Sequence, residues 1–133
     1  MIFALDTNII SYLLKDNPVV YGNFDRATRS GGSCIVPPVA YYEIKRGLLA
    51  VNATEKAHDF DRLCTAIGVG DMTIRAWDEA AVLHARHRRS GTLLEDADFF
   101  VAAFCIVNRY TLVTNNTKHF ERIDGLRFED WTI

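Results

Sequence analysis

The chain has 133 residues, 49% of them hydrophobic and 24% charged, with a formal net charge of −2. That length fits a single domain over residues 1–133 with one core. The balance excludes a disordered chain and a protein that grips nucleic acid through a broadly basic surface.

No apolar run approaches bilayer length and the chain opens directly on a strand, so neither a membrane span nor a signal peptide is expected, and the expected compartment is the cytoplasm. Ile2 to Leu5 is a short unbroken apolar run, the mark of a strand buried on both faces, and it stops at Asp6. Ligands of open α/β sheets gather outside the carboxyl ends of the strands, which makes an acid there a candidate site residue. Thr7 to Leu14 reads as a short helix broken at Asn17-Pro18, and a second helix runs from about Val19 to Arg29 before Gly31-Gly32. Cys34 to Val36 is a second strand. The following helix, about Val39 to Leu49, carries Ala40, Ile44, Gly47 and Leu48 on one stripe, with Glu43 at its border and Lys45 and Arg46 turned away.

Thr54 is the expected cap of a helix whose apolar face is Ala57, Phe60, Cys64 and Ile67. Ile67 to Ile74 reads as a strand with loop. Asp78 is the expected cap of a helix ending near Arg89, and Asp96 of the one after it. That later helix, Phe99 to Val107, is apolar all round, so it belongs in the interior. Thr111 to Thr114 is a strand, His119 to Arg122 a helical turn, and Leu126 to Phe128 closes the sheet edge. Strands alternating with helices predict an α/β domain with a mainly parallel sheet. The three cysteines, Cys34, Cys64 and Cys105, lie far apart among apolar neighbours and read as buried thiols.

Three acids stand out by position: Asp6 after the first strand, Glu43 on an inner helix border, and Asp98 in the first turn of the interior helix. Asn115 and Asn116, after the later strand, add neutral oxygen donors. Carboxylates gathered in one crevice repel one another unless a cation joins them. An all-oxygen set selects Mg²⁺ or Mn²⁺, which can activate water for attack on a phosphodiester. Taken singly, each acid has a plainer role: Asp6 as a helix cap, Asp98 as a complement to the helix dipole, Glu43 as a surface ion-pair partner. Asn115-Asn116 alone is a turn.

Together these residues resemble a PIN-domain ribonuclease, specifically a VapC-type toxin of a toxin–antitoxin system. The likeness rests on Leu5-Asp6-Thr7-Asn8, Tyr42-Glu43-Ile44 with Gly47, Asp98 to Ala103, Leu112 to Phe120, and Gly125 to Trp131, in that order along almost the whole chain. It implies a PIN-like three-layer fold, a mainly parallel sheet flanked by helices. It also implies a Mg²⁺- or Mn²⁺-dependent endoribonuclease that cleaves RNA, plausibly tRNA, leaving a 3′-hydroxyl and a 5′-phosphate. A VapB-type antitoxin and a homodimer come with the same resemblance. Asp6, Glu43 and Asp98 match the family's acidic triad, Asp6 and Asp98 as direct ligands and Glu43 through a water or a second ion. Thr7 and Asn8 match the small polar residues beside the first acid. Where many PIN domains carry a fourth acid this chain has Asn116, so a two-metal site is in question, and Asp96 is the alternative acid nearby.

The densest basic cluster is Arg86, Arg88 and Arg89, around His87. It is either an RNA phosphate contact or a helix end favoured by the dipole; Lys45, Arg46, Lys118 and Arg122 could extend it. His84 and His87 read as packed or rim histidines, and Tyr41, Tyr42, Trp77 and Tyr110 as packing residues before base-stacking ones. Two other classes compete. A haloacid-dehalogenase-type phosphatase needs a second aspartate at position 8, where Asn8 stands. A catalytically silent binding module acting through protein partners would not gather three mutually repelling acids.

Overall fold

The computed structural model describes residues 1–91 and 94–133, as four strands and seven helices. The strands are β1 (Ile2–Leu5), β2 (Ser33–Ile35), β3 (Thr111–Val113) and β4 (Arg127–Glu129). They form one parallel sheet in the order β2-β1-β3-β4, with Phe3 level with Cys34 and Thr111, and Leu112 with Phe128. The period of two along β1 divides the core. Phe3 and Leu5 face one cluster with Ile9, Ile10, Ala40 and Phe60, whereas Ala4 faces another with Leu83, Phe99 and Phe104. Helices therefore cover both faces, giving the three-layer α/β domain that the alternation predicts. Strand β1 is interior, as its unbroken apolar run requires, and β4 closes an edge.

The helices are α1 (Thr7–Leu14), α2 (Pro18–Arg29), α3 (Pro38–Ala50), α4 (Thr54–Ile67), α5 (Ile74–Ser90), α6 (Asp96–Asn108) and α7 (Thr117–Phe120). The first four stand over the Phe3 face; α5 and α6 pack on the Ala4 face. Asn17 starts α2 by accepting hydrogen bonds from the amides of Val19 and Val20, both at 3.1 Å. Helix α6 is the interior helix of the sequence reading, with Phe99 and Val101 to Cys105 all buried.

Several local expectations are corrected. Residues 67–74 form no strand: the chain touches the sheet only through a bridge between Val36 and Val69, and Gly70 then passes so close to the Phe104 ring that a Cβ would lie 2.6 Å from its Cε1. Thr54 is the first residue of α4 and Ala53 occupies the cap position without a side-chain bond. Helix α5 begins a turn before Asp78, capped by the Thr73 hydroxyl, which accepts from the Ala76 amide at 3.2 Å. It ends on Gly91 in the left-handed conformation, at φ 75°. Glu95, not Asp96, caps α6. Cys34 and Cys105 are buried, Cys64 is half-buried, and all are free thiols; burial pushes the Cys34 thiol up to about 12. No helix of the described residues is long and apolar enough to cross a membrane.

Candidate active site

The chain turns from β1 one way to β2, and β3 and β4 lie on the other side, so the order of the sheet reverses between β1 and β3. A crevice opens outside the carboxyl ends of strands at such a switch point. Asp6 and Thr114 are the residues that leave β1 and β3 there. The Asp6 amide extends the ladder by donating to Val113 O at 2.9 Å.

Asp6 is only 7% exposed and its carboxylate is held on several sides. The Thr114 hydroxyl donates to Oδ2 at 2.8 Å. The Thr7 amide donates to Oδ1 at 2.9 Å, and the Asn8 side chain to Oδ2 at 3.4 Å. The plainer role is real as well, since Asp6 is the N-cap of α1. Burial nevertheless raises the Asp6 pKa; the hydrogen bonds from Thr114 and Thr7 oppose that rise, and the charges of Asp98 and Glu43 add to it.

Glu43 comes from α3, half-buried, its Oε1 accepting the Thr7 hydroxyl at 2.8 Å. Thr7 thus joins two of the acids, its amide to Asp6 and its hydroxyl to Glu43. Asp98 lies in the first turn of α6, where Oδ2 accepts the Glu95 amide at 3.3 Å and faces His119 Nδ1 at 3.5 Å. Its pKa is raised, first by burial and then by Glu95 and Glu43, against the Glu95 amide and His119, which lower it.

One cleft of about 290 Å³ is lined by Asp6, Thr7, Asn8, Glu43, Glu95, Ala97, Asp98, Val101, Asn116 and His119. The three acids named from the sequence therefore meet, with Thr7, Asn8 and Asn116 beside them. Asp96 does not line the cleft and is exposed. Asn115 stands just outside it, its amide donating to Asn8 Oδ1 at 3.3 Å. Thr114, Glu95 and His119 were not singled out as site residues from the sequence. Thr114 is recognisable only once the β1–β3 register is known, and His119 only once α7 is placed.

Apart from His119, the polar side chains that line the cleft offer hard oxygens, the set that suits Mg²⁺ or Mn²⁺. Among the described residues no three acidic, histidine or cysteine side chains close into a ready-made cage. Magnesium does not require one, being held by one or two carboxylates together with waters and substrate phosphate. The raised Asp6 and Asp98 pKa values are a second mark of fit, because a cation would relieve the repulsion that contributes to them.

The chain matches the model of the PIN domain over residues 3–126. It belongs to the PIN-domain family. Full-length relatives of this PIN domain are VapC ribonucleases. It is 30% identical to the tRNA(fMet)-specific endonuclease VapC of Shigella flexneri, with 98% of both chains covered. It is 26% identical to ribonuclease VapC2 of Rickettsia felis, again over 98% of each. Among solved structures, VapBC2 of Rickettsia felis bound to a promoter DNA fragment superposes with a TM-score of 0.91 at 25% identity, covering 98% of this chain and 99% of that one. The DNA-bound VapBC of Salmonella typhimurium gives 0.88 at 25% identity, over 98% of both.

The remaining candidates of this PIN domain lie outside the cleft lining. Arg86, Arg88 and Arg89 are exposed on the last turns of α5. His87 between them is buried, Nδ1 against Leu83 O at 2.9 Å and Nε2 against Arg122 O at 3.3 Å. The rings of His84 and His87 both pack on Phe99, the neighbour of Asp98. That contact brings the arginine-rich end of α5 to the same end of α6 as the acids. His84 is thus a rim residue and His87 a packed one. Lys45 pairs with Asp61 at 2.9 Å, away from the cleft. Tyr41 packs on Phe60, Tyr110 on Phe104 and Trp77 on Phe100. Tyr42 is 60% exposed under the Arg46 guanidinium, so it is not a core residue.

Proposed function

We propose that this PIN domain is the ribonuclease of a toxin–antitoxin pair, that its activity depends on Mg²⁺ or Mn²⁺, and that Asp6, Glu43 and Asp98 carry that activity. The convergence of these three acids, from β1, α3 and α6, on one cleft at the switch point is the observation that carries the reading. Asp6 and Asp98 would hold the cation, with Glu43 on its water side. When bound, such a cation supplies an activated water and offsets charge developing on the phosphodiester.

The chain's own groups do the rest. Thr114, the Thr7 amide and Asn8 fix the orientation of Asp6. The Thr7 hydroxyl fixes Glu43, leaving its second oxygen to take a proton from water at the scissile phosphate. Arg86, Arg88 and Arg89 stand at the same end of the molecule to take RNA phosphates, which serves an acidic protein that lacks a general basic surface. With Asn116 where a fourth acid would stand, one cation suffices for the reading.

Transfer RNA is the substrate class supported by the name of the Shigella flexneri relative, and such a substrate would be met in the cytoplasm. A VapB-type antitoxin is the partner supported by the VapBC complexes. A second groove of about 360 Å³ suits such a partner. It runs between α1, α3 and α4 past Leu14, Ile44 and Leu48 to Glu43, with Lys15 and Lys56 on its rim. An apolar segment seated there would end at the acids and block them.

The test is digestion of bulk tRNA with Mg²⁺, Mn²⁺ or EDTA, comparing wild type with Asp98→Asn. Asparagine keeps an oxygen for the Glu95 amide, so the fold should stand while cleavage falls by at least about 100-fold, the scale of one metal-site contact. Full activity in folded Asp98→Asn would end the triad assignment.

A further inference from the structure

The cleft is lined by four acids, Asp6, Glu43, Glu95 and Asp98, and by four other polar side chains, Thr7, Asn8, Asn116 and His119. Thr7 and Asn8 are committed to the acids, the first to Glu43 and the second to Asp6. His119 is different. It sits on α7, half-exposed, and its Nδ1 faces Asp98 Oδ2 at 3.5 Å. With Nδ1 turned to Asp98, Nε2, across the ring, is the free edge. Among the described residues Nε2 has no protein partner. The ring is tied to its turn through its own backbone, whose amide donates to Asn116 O at 3.0 Å.

A nuclease that uses water as the nucleophile leaves the ribose 2′-hydroxyl untouched, so that group is available to be read. It is also what distinguishes RNA from DNA at a given site. The 2′-hydroxyl both donates and accepts. It can give its proton to the Nε2 lone pair of a neutral ring, or receive the Nε2 proton of a charged one.

We propose that His119 is a specificity-determining residue that reads the 2′-hydroxyl of the nucleotide beside the scissile phosphate through Nε2, with Nδ1 turned to Asp98. This rests on the ribonuclease reading above and adds to it the reason the cleft accepts RNA over DNA.

The experiment takes an RNA oligonucleotide spanning the site that wild type cuts in tRNA, and the same oligonucleotide with single 2′-deoxy nucleotides placed in turn across that site. Wild type should lose about tenfold in kcat/KM at one position, the scale of a hydrogen bond with one charge-assisted or buried partner. His119→Ala should lose about tenfold on the all-ribose substrate and then be indifferent to deoxy substitution at that position. His119→Gln, which can both donate and accept, should recover most of the sensitivity. All substrates are compared at saturating Mn²⁺, with binding followed by electron paramagnetic resonance, so that any change in metal affinity on losing the ring beside Asp98 does not enter the deoxy ratio.

If His119→Ala keeps the wild-type deoxy sensitivity, the assignment is overturned while the ribonuclease reading stands. Loss of cleavage that added Mn²⁺ fully restores, with the deoxy sensitivity back at its wild-type value, would overturn it in favour of a role through the metal site. If wild type cleaves no RNA with either metal, the ribonuclease reading falls and takes this assignment with it.

Discussion

Thr114→Val isolates what holds Asp6 in place. Thr114 is fully buried, and its hydroxyl serves two partners, donating to Asp6 Oδ2 at 2.8 Å and accepting from the Asn116 amide at 3.0 Å. Valine fills the same volume, so no cavity contributes. Loss of a hydrogen bond to a charged group costs about 1.5–3 kcal/mol, and the Asn116 amide, at the exposed edge where water can replace its acceptor, adds roughly 0.5–1 kcal/mol. The expected destabilisation is about 2–4 kcal/mol, or roughly 8–16 °C in Tm for a chain of this size. Thr114→Ser retains the hydroxyl and should cost only about 1 kcal/mol for the lost methyl. Thermal and urea unfolding in EDTA measure both. The Asp6 pKa, already raised by burial, should move further up in the valine variant, and Mn²⁺ affinity should fall with it. A valine variant no less stable than the serine one would refute the claim that this hydroxyl sustains a buried carboxylate.

Three further outcomes follow from the same geometry. Asn116→Asp should tighten Mn²⁺ binding, because position 116 lines the cleft and would add a carboxylate there; an unchanged titration would show that its side chain does not reach the ion. Arg86→Ala combined with Arg89→Ala should weaken RNA cleavage and reduce its salt dependence by about one to two counterions in slope, and an unaltered slope would make these arginines a solvated helix end. Burial and neighbouring charges hold Asp6 and Asp98 above the usual carboxylate value of 3.8. The folded state therefore binds their protons more tightly, and this contribution to stability is present below the ordinary carboxylate range and lost as pH rises through the raised values. In EDTA, urea midpoints should fall more steeply over that rise for wild type than for Asp98→Asn, and Mg²⁺ should restore the wild-type midpoint at neutral pH. Identical slopes would show that Asp98 is not strained.

Elements whose hydrophobic pattern is local and strong were legible from the residues alone. Strand β1, helix α1, helix α3 and strand β3 fall within a residue or two of their expected spans, and the interior helix α6 starts three residues before its apolar run. The misses have two causes, a tertiary contact in one case and local start signals that point to the wrong residue in the others. Residues 67–74 carry strand-like composition, but Gly70 must pass under Phe104, so pairing stops at Val69. Helix α5 starts at Ile74, which is 76% exposed and breaks the apolar stripe that would have announced it. Glu95 takes the cap position expected of Asp96 because Asp98, three residues on, reaches back to its amide. In the site, the acids were legible because each ends a strand or borders a buried face. Their supports were not: Thr114 meets Asp6 only through the register that sets Leu5 level with Val113. His119 meets Asp98 only because α7 lies against α6.

The gathering of acids discriminates between a nuclease and a silent binding scaffold. Asp6 is nearly buried, and each of its hydrogen bonds works against a pKa that burial, Asp98 and Glu43 push upward. A scaffold selected only to dock a protein gains nothing from that arrangement and would be more stable without it, since like charges in one cleft cost folding energy. Asp98→Asn separates the two roles. In metal-free protein it removes one charge while keeping the oxygen that holds the Glu95 amide, so stability should rise. In a binding scaffold that gain would come with no loss. In a nuclease it comes with the loss of metal-dependent cleavage, the stability–activity trade-off expected where a strained site is kept for its chemistry. Antitoxin capture at the groove proposed for it between α1, α3 and α4 should survive the substitution in both cases.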